Sequence, residues 1–398
     1  MPVICPDSDK NVASAVFTAS EKAFVRSPAS AQALGIVVCE RPGSPPFAEA
    51  SYIRRLIRTG SKLGLEVFAF SPCSWNEERG TVRAWKWRAG WKSDERPAPP
   101  IAYDRAWPSD AASRERHHAS LGRMRAAGRL KLLNSRLPGK AGVLRALKRY
   151  PELRSWLPAS AVYRGEASLA AWLDRCGGAA FLKPTNGSQG RRVIVVARES
   201  ENPGLLAIRG RTASNRSFRL ADQPEAEALA RIHRWIGYRS YLMQPLLELQ
   251  GKDGEPFDVR VLMQRDEDGR WTSAGAAVRC GRSGSVTANL HGGGEPRDAH
   301  RYLSDAFGER SAESLLAELR SASSAFVKRI EESFGPFAEL GLDFGIDRSG
   351  HCWFLEANSK PGRASMACVG EAAAAEAVRR PLAYARHILL RSPWEGIS

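Results

Sequence analysis

Residues 341–362, GLDFGIDRSGHCWFLEANSKPG, place three oxygen-bearing side chains, Asp343, Glu356 and Asn358, on either side of a turn. Residues 347–350 have the composition of a hairpin turn between two apolar strands. Such a hairpin would bring Asp343 close to Glu356. An unpaired carboxylate in apolar surroundings is costly, and a hard divalent cation such as Mg²⁺ would offset that cost. Pairing with arginines would offset it equally, so the segment alone leaves a metal site and an ion-paired hairpin both open.

A lysine followed at once by a glycine- and serine-containing loop occurs upstream, where residues 181–190 read FLKPTNGSQG. Glycines let backbone N–H groups approach phosphate oxygens, and Lys183 would add a positive charge. A plain turn between two strands would give the same pattern. Further along, Arg260 follows Asp258 in an apolar strand, where an arginine suits bidentate binding of an oxyanion.

The remaining chain alternates predicted strands and helices. Strand, helix and strand patterns at 34–40, 47–63 and 65–70 indicate an open α/β unit, and residues 81–92 predict a tryptophan-rich hairpin. Beyond residue 134 helices interleave with strands, which predicts an α+β region with more than one sheet. The predicted strands there are 180–185, 193–197, 205–209, 241–249, 258–264, 271–280, 340–346 and 352–356.

Composition fits a globular chain, with 398 residues, 43% of them hydrophobic and 26% charged. No run of eighteen apolar residues exists, so we expect no membrane span. Residues 1–30 lack the apolar region of a signal peptide. Seven scattered cysteines without a Cys-x-x-Cys pair predict buried free thiols in a reducing compartment. Together these features predict a cytoplasmic protein.

The net charge of +16 favours anionic partners, among them a nucleotide, a nucleic acid, an acidic polymer or an anionic surface. The arginine-rich stretch 114–131 is either a solvated helix face or a docking surface. Nucleic acid is therefore a possible partner, but no recognisable RNA-binding module supports it. The P-loop, Gly-x-Gly-x-x-Gly and Gly-x-Ser-x-Gly motifs are absent from the sequence, which excludes the common nucleotide, dinucleotide and hydrolase signatures.

Taken in order, the segments over about 134–362 resemble the ATP-grasp superfamily. They are most similar to the endospore coat-associated YheC/YheD family, and more distantly to the RimK-type glutamate ligases. The resemblance implies a mixed α/β and α+β chain: an ATP-grasp fold, in which two α+β subdomains grip ATP, preceded by a small Rossmann-like pre-ATP-grasp domain. The implied limits are a tail at 1–30, the pre-ATP-grasp α/β domain at 31–133, and the ATP-grasp domain at 134–398, with its central nucleotide-binding subdomain at about 160–249.

The same resemblance assigns roles residue by residue. The implied nucleotide-binding residues are Lys140, Lys183, Gly187, Ser188, Gln189, Gly190, Gln244, Leu246, Glu248, Asp258 and Asn289. Lys183, Ser188 and Arg260 are the implied catalytic residues. Asp343, Glu356 and Asn358 match ligands of Mg²⁺, with Mn²⁺ as the alternative ion. Gln244 departs from the pattern, since many members carry Glu at this position.

The activity implied is an ATP-dependent carboxylate–amine ligase that forms an amide bond through an acylphosphate and releases ADP and phosphate. Its partners would be ATP, a carboxylate substrate and an amine acceptor such as an amino acid, peptide or protein. Two alternatives stay open: a nucleotide-binding spore-coat or scaffold protein with little catalysis, and a ligase that acts with an aminoacylated RNA or another polyanion. The resemblance adds spore association to the expected cytoplasmic location.

Overall fold

The computed structural model describes residues 32–187, 190–288 and 294–391, and the predicted tail at 1–30 lies outside them. Within these ranges the strands form three sheets, which follow one another along the chain. None of the helices in the described ranges is both long and apolar enough to cross a membrane.

The N-terminal sheet has the strand order β4-β3-β2-β1-β5-β6, with β1 parallel to both β2 and β5. Its elements are β1 (Ala33–Val37), α1 (Ala50–Lys62), β2 (Glu66–Phe70), β3 (Thr81–Trp87), β4 (Trp91–Pro97), β5 (Ile101–Asp104), α2 (Ala111–Ala126) and β6 (Lys131–Leu132). Every residue of β1 is buried, as expected for a strand covered on both faces. The predicted hairpin is confirmed. Trp85 and Trp91 pack edge-on against Phe47, so these tryptophans contribute to the hydrophobic core of this part of the chain.

The central sheet has the order β11-β10-β9-β8-β12-β7. The elements are α3 (Lys140–Leu147), β7 (Ala161–Val162), α4 (Glu166–Arg175), β8 (Ala179–Pro184), β9 (Ile194–Arg198), β10 (Leu205–Arg211), β11 (Ser217–Pro224), α5 (Glu225–Ile236) and β12 (Tyr241–Gln244). The strand predicted at 241–249 is too long, because β12 ends at Gln244. Pro245 has no N–H to continue the ladder, and the segment after it crosses to the next sheet.

The C-terminal sheet has the order β15-β14-β13-β16-β17 and is antiparallel. Its elements are β13 (Phe257–Arg265), β14 (Trp271–Cys280), β15 (Glu295–Asp298), α6 (Ala299–Phe307), α7 (Glu309–Phe334), β16 (Glu339–Ile346), β17 (Cys352–Asn358) and α8 (Glu371–Arg391). Phe326 of α7 stacks on Phe354 with ring centroids 4.1 Å apart. Val378 and Leu382 of α8 join the core beneath the N-terminal sheet, so this helix ties the first and last sheets together.

Two β-bulges set the register of the C-terminal sheet. In β14 the extra residue is Ala274, between the pairs Leu262↔Gly275 and Met263↔Ser273. In β17 the extra residue is Leu355, since Asp343 pairs with Glu356 but Phe344 pairs with Phe354. A bulge shifts all pairing beyond it by one residue. These shifts place charged side chains opposite one another across the sheet.

The thiols differ from the prediction in their burial. All six described cysteines are free. Cys280 and Cys352 are buried, but Cys73 is exposed. The prediction of free thiols is therefore confirmed for these six, while the prediction that they are all buried is wrong.

A buried ionic cluster joins the N-terminal and C-terminal sheets at Glu339, the first residue of β16, which is fully buried. Its carboxylate accepts hydrogen bonds from Tyr103, Gln264 and Arg363. Arg105, whose side chain is also fully buried, lies 3.8 Å from the same carboxylate. A buried charge is tolerated only when it is paired, so this cluster fixes how the two sheets sit against each other.

We predict that Glu339→Ala lowers the free energy of unfolding by about 3–5 kcal/mol, because it leaves the buried guanidinium of Arg363 without its carboxylate. Urea denaturation measures the loss. Glu332→Ala is the matched control, since Glu332 forms an i,i+3 pair with Arg329 on the surface of α7 and should cost about 1 kcal/mol or less. Equal losses in the two variants would contradict the account of the cluster.

Candidate active site

A cleft opens between the central and C-terminal sheets, and its cavity has a volume of about 350 Å³. Strands β8 to β10 provide one wall, which includes Phe181 and Val195. The connection after β12, residues 244–250, closes one side. The C-terminal sheet provides the opposite wall, with both polar and charged side chains. This volume is within the range of small-molecule sites.

A row of charges on the C-terminal sheet lies at the floor of the cleft, where Asp343 and Glu356 line the cavity but Arg260, beside Asp343, does not. Arg260, Asp343 and Glu356 lie opposite one another on β13, β16 and β17. Arg260 donates from Nε and Nη2 to the two oxygens of Asp343, the second over 2.8 Å. Arg279 bridges Asp343 at 2.9 Å and Asp258 at 2.5 and 2.7 Å. The two arginines thus neutralise two buried carboxylates. For Asp343 this matches the second of the two alternatives left open by the sequence, pairing with arginines instead of a metal ion.

Gly341 makes room for this row. A Cβ atom at this position would lie 2.8 Å from Pro361 Cβ and 3.2 Å from Arg260 Nη1. A larger residue would therefore push the guanidinium out of line with Asp343.

Lys183 projects from β8 towards the same floor. It is buried and donates over 3.1 Å to the carbonyl oxygen of Leu355, the extra residue of the bulge in β17. A bulged residue is left out of the ladder, so its carbonyl is available to the lysine. Burial lowers the pKa of Lys183 to about 8, partly offset by the charge of Glu356. The lysine is therefore mostly charged at neutral pH but close to its titration range.

Lys140 reaches the floor from the start of α3. Its Nζ donates over 2.6 Å to the carbonyl oxygen of Gly187 and lies 3.2 Å from Glu356 Oε2. Burial alone would raise the pKa of Glu356, but the charges of Lys140 and Lys183 outweigh burial and hold it well below its usual range. Gly139 is required beside the lysine, because a Cβ there would lie 2.3 Å from Asn186 Oδ1.

The segment after β12 lines the cleft with the three residues that the sequence predicted there. Gln244 is buried and donates from Nε2 to Ser160 Oγ over 3.0 Å. Leu246 lines the cavity. Glu248 is exposed and lies 3.4 Å from Arg348, so it stands at the open side of the cleft.

Some predicted residues cannot be placed. Ser188, Gln189 and Asn289 lie outside the described residues, and their roles stay predictions. Gly187 and Gly190, on either side of the first pair, both line the cleft.

Two of the three predicted metal ligands, Glu356 and Asn358, lie together, whereas Asp343 is engaged elsewhere. Asn358 Nδ2 donates to Glu356 Oε1 over 3.3 Å, so the amide and the carboxylate are adjacent. Asp343, by contrast, is saturated by arginines. Among the residues with described side chains, no group of three or more His, Cys, Asp or Glu could hold a metal. Glu356 and Asn358 fit a Mg²⁺ ion that takes its other ligands from phosphate oxygens and water.

Arg279 is the main functional candidate that the sequence did not single out. The strand containing it was predicted, but its partner was not. If Ala274 were paired in the ladder instead of bulged, Asp258 would face Val278 and not Arg279. The sequence does contain one signal for this role, since Arg279 stands between Val278 and Cys280 in an apolar strand. A buried arginine needs a carboxylate partner, so its position indicates an ion pair.

Two α+β layers that enclose a cleft, with Lys140 of α3 and Lys183 of β8 at one end and an acidic hairpin beneath, are the arrangement of an ATP-grasp protein. The chain belongs to the YheC/D-like ATP-grasp family, whose model matches residues 129–388.

Two relatives and two solved structures show the range of similarity. The chain is 24% identical over 352 residues to the endospore coat-associated protein YheC of Bacillus subtilis (strain 168), covering 88% of this chain and 95% of YheC. It is 28% identical over 324 residues to YheD of the same organism, covering 80% of this chain and 69% of YheD.

The crystal structure of D-cycloserine synthetase DcsG matches with a TM-score of 0.53 and 13% identity, over 90% of this chain and 99% of DcsG. The ATP-grasp ligase PsnB, in complex with a phosphomimetic precursor variant, Mg and ADP, matches with a TM-score of 0.50 and 18% identity, over 87% of this chain and 98% of PsnB. These likenesses support the fold.

Lys183 predicts a pH dependence of nucleotide binding. A bound phosphate favours the charged lysine and raises its pKa, so binding takes up a proton when the pH is above about 8. Affinity for ATP should fall as the pH rises from there, while well below pH 8 this lysine contributes no uptake. Calorimetry at about pH 8.5 in buffers of different ionisation enthalpy measures the uptake. The Lys183→Met variant should bind ATP more weakly and should lose this proton uptake. Unchanged proton uptake in the variant would refute the assignment of Lys183 to phosphate binding.

Proposed function

We propose that the chain is an ATP-dependent carboxylate–amine ligase that works through an acylphosphate. The observation that carries this proposal is that Lys140, ion-paired with Glu356, and Lys183, hydrogen-bonded to the carbonyl oxygen of the adjacent Leu355, meet at one end of the cleft. Two cations from different elements beside a single carboxylate suit a polyphosphate with an accompanying cation. The absence of the common hydrolase motif from the sequence is compatible with this chemistry, which requires no side-chain nucleophile.

ATP would bind with its phosphates at Lys140 and Lys183. The base would lie against the apolar part of the cleft, which includes Phe181 and Val195, and Glu248 would face the ribose. Mg²⁺ held by Glu356 and Asn358 would neutralise phosphate charge. The groups proposed to bind the phosphates and the metal ion lie on α3, β8 and β17. ATP binding would therefore draw the central and C-terminal sheets together and exclude water.

In the first step an oxygen of the substrate carboxylate bonds to the γ-phosphorus while the bond from that phosphorus to the ADP oxygen breaks. In the second step the amine nitrogen bonds to the acyl carbon, the carbon–oxygen bond to phosphate breaks, and the amine loses a proton. Arg260 is the proposed donor to the oxyanion. Its Nε and Nη2 already donate to Asp343, so this contact would use Nη1.

A nucleotide-binding protein with little catalysis is the second candidate. The pairing of Asp343 with Arg260 and Arg279 favours it, because a carboxylate engaged by two arginines is not free for a metal. The relatives YheC and YheD are named endospore coat-associated proteins. Association with the spore coat is therefore a proposal for this chain under either candidate.

We expect Glu356→Ala to reduce carboxylate-dependent ADP release by about 100-fold or more, since it removes the proposed metal ligand and the partner of Lys140. The fold should be retained, because Glu356 is partly exposed. Release of ADP is measured with a coupled assay, and thermal unfolding monitors the fold. Glu332→Ala on the surface of α7 is the control and should behave as the wild type. Wild-type turnover in Glu356→Ala would rule out the assigned role.

The ligase proposal itself is tested by screening ADP release from MgATP with a panel of carboxylic acids and amines, with mass spectrometry of the products. A ligase yields ADP and an amide in equal amounts, and only when both substrates are present. Binding of ATP without product from any pair would favour the second candidate instead.

A further inference from the structure

A second cavity adjoins the nucleotide cleft. Its volume is about 730 Å³, and it is bounded by α3, β17 and loops of the N-terminal sheet. Lys140, Gly187, Leu355 and Glu356 line both cavities. The Lys140–Glu356 ion pair therefore lies on the boundary between them, at the end of the cleft where the phosphates of ATP are proposed to lie.

The second cavity is cationic. Glu356 is the sole carboxylate among its described lining residues, and it is paired with Lys140. Lys360 also lines the cavity, but its charge is balanced by Asp104 at 2.7 Å. Arg136 is exposed, and no described carboxylate lies within ion-pair distance of it. One uncompensated guanidinium thus faces a space that adjoins the proposed site of phosphoryl transfer.

The charge of Arg136 also acts on the pKa of His118 in α2. Burial and the charge of Arg136 lower the pKa of His118, and Lys360 adds to the effect. An unpaired guanidinium that lines a cavity favours an anion there.

The rest of the wall is largely apolar. Leu137, Val143, Leu144 and Phe354 line it. Trp107, from the loop between β5 and α2, also lines it and is 47% exposed, one of few large apolar side chains left so accessible in the described chain. An exposed tryptophan beside an apolar wall suits a ligand with methylene groups between its charges.

We propose that this second cavity binds the carboxylate substrate of the ligase, and that this substrate is an acidic peptide. Arg136 binds a second carboxylate of the peptide, at a distance from the carboxylate that reacts. The inference rests on the proposed function for the identity of the reacting group. Arginine binds carboxylates in a bidentate manner, which makes Arg136 a residue that determines specificity. Nucleic acid fits less well, because it requires a row of cations along its backbone, and Arg136 is the one uncompensated cation among the described lining residues.

The test is calorimetric binding of tri-glutamate to the full chain loaded with Mg²⁺ and a non-hydrolysable ATP analogue. We expect saturable binding, about tenfold or more weaker in Arg136→Ala and partly restored in Arg136→Lys. Arg125→Ala is the charge-matched control, because Arg125 lies in the last turn of α2 and does not line the cavity. Tri-glutamine, of similar size but without side-chain charges, should bind more weakly than tri-glutamate to the wild type.

No binding of tri-glutamate, or equal weakening in Arg136→Ala and Arg125→Ala, would overturn the proposal. Tighter, Arg136-dependent binding of an oligouridylate would replace the peptide with nucleic acid and overturn it as well. The two proposals fail separately. Arg136-dependent binding without ADP release from any acid keeps the cavity assignment and removes the ligase, whereas turnover of neutral acids without tri-glutamate binding does the reverse.

Discussion

The carboxylate of Asp343, held between Arg260 and Arg279, is the interaction on which the rest of the site depends. Each of these three charged groups would be unstable alone in the interior of a sheet. Together with Asp258 they form a row in which two carboxylates alternate with two guanidinium groups. The cluster fixes the relative positions of three neighbouring strands. It also satisfies Asp343 internally, so the carboxylate left to face a ligand is Glu356 on the next strand, beside Lys140. The paired charges of the floor therefore cancel, and Glu356 and the lysines stand at its edge.

Much of this arrangement could be predicted from the sequence, because it depends on local patterns. The apolar strands, the acidic hairpin and the order of the lysine segments follow from alternation, turn composition and motif order. The register does not, since it depends on single extra residues at Ala274 and Leu355. A one-residue shift moves a side chain to the other face of a sheet. For that reason the sequence identified Asp343 and Glu356 correctly as neighbours but did not identify Arg279 as the partner of Asp343 and Asp258.

The bulge in β17 also connects the C-terminal sheet to the opposite wall of the cleft. Leu355 is left out of the ladder and offers its carbonyl to Lys183, which brings the central sheet into contact with the C-terminal one. Lys140 makes a second contact across the cleft, at Glu356. The Lys140–Glu356 ion pair also borders the adjoining cavity. A ligand that displaces Lys140 from Glu356 would therefore change the charges on the walls of both cavities. Occupancy by phosphate and by a second substrate would then be coupled through one ion pair.

The proposed ligase reaction requires that a carboxylate attacks the γ-phosphate of ATP in this cleft. Transfer of ¹⁸O tests it most directly. An acid that supports ADP release, labelled with ¹⁸O in its carboxylate, is converted in unlabelled water, and the released phosphate is analysed by mass spectrometry. An acylphosphate route predicts that each phosphate carries one ¹⁸O atom from the acid. Phosphate without label, formed with ADP at the same rate, would show that water attacks ATP instead and would contradict the account.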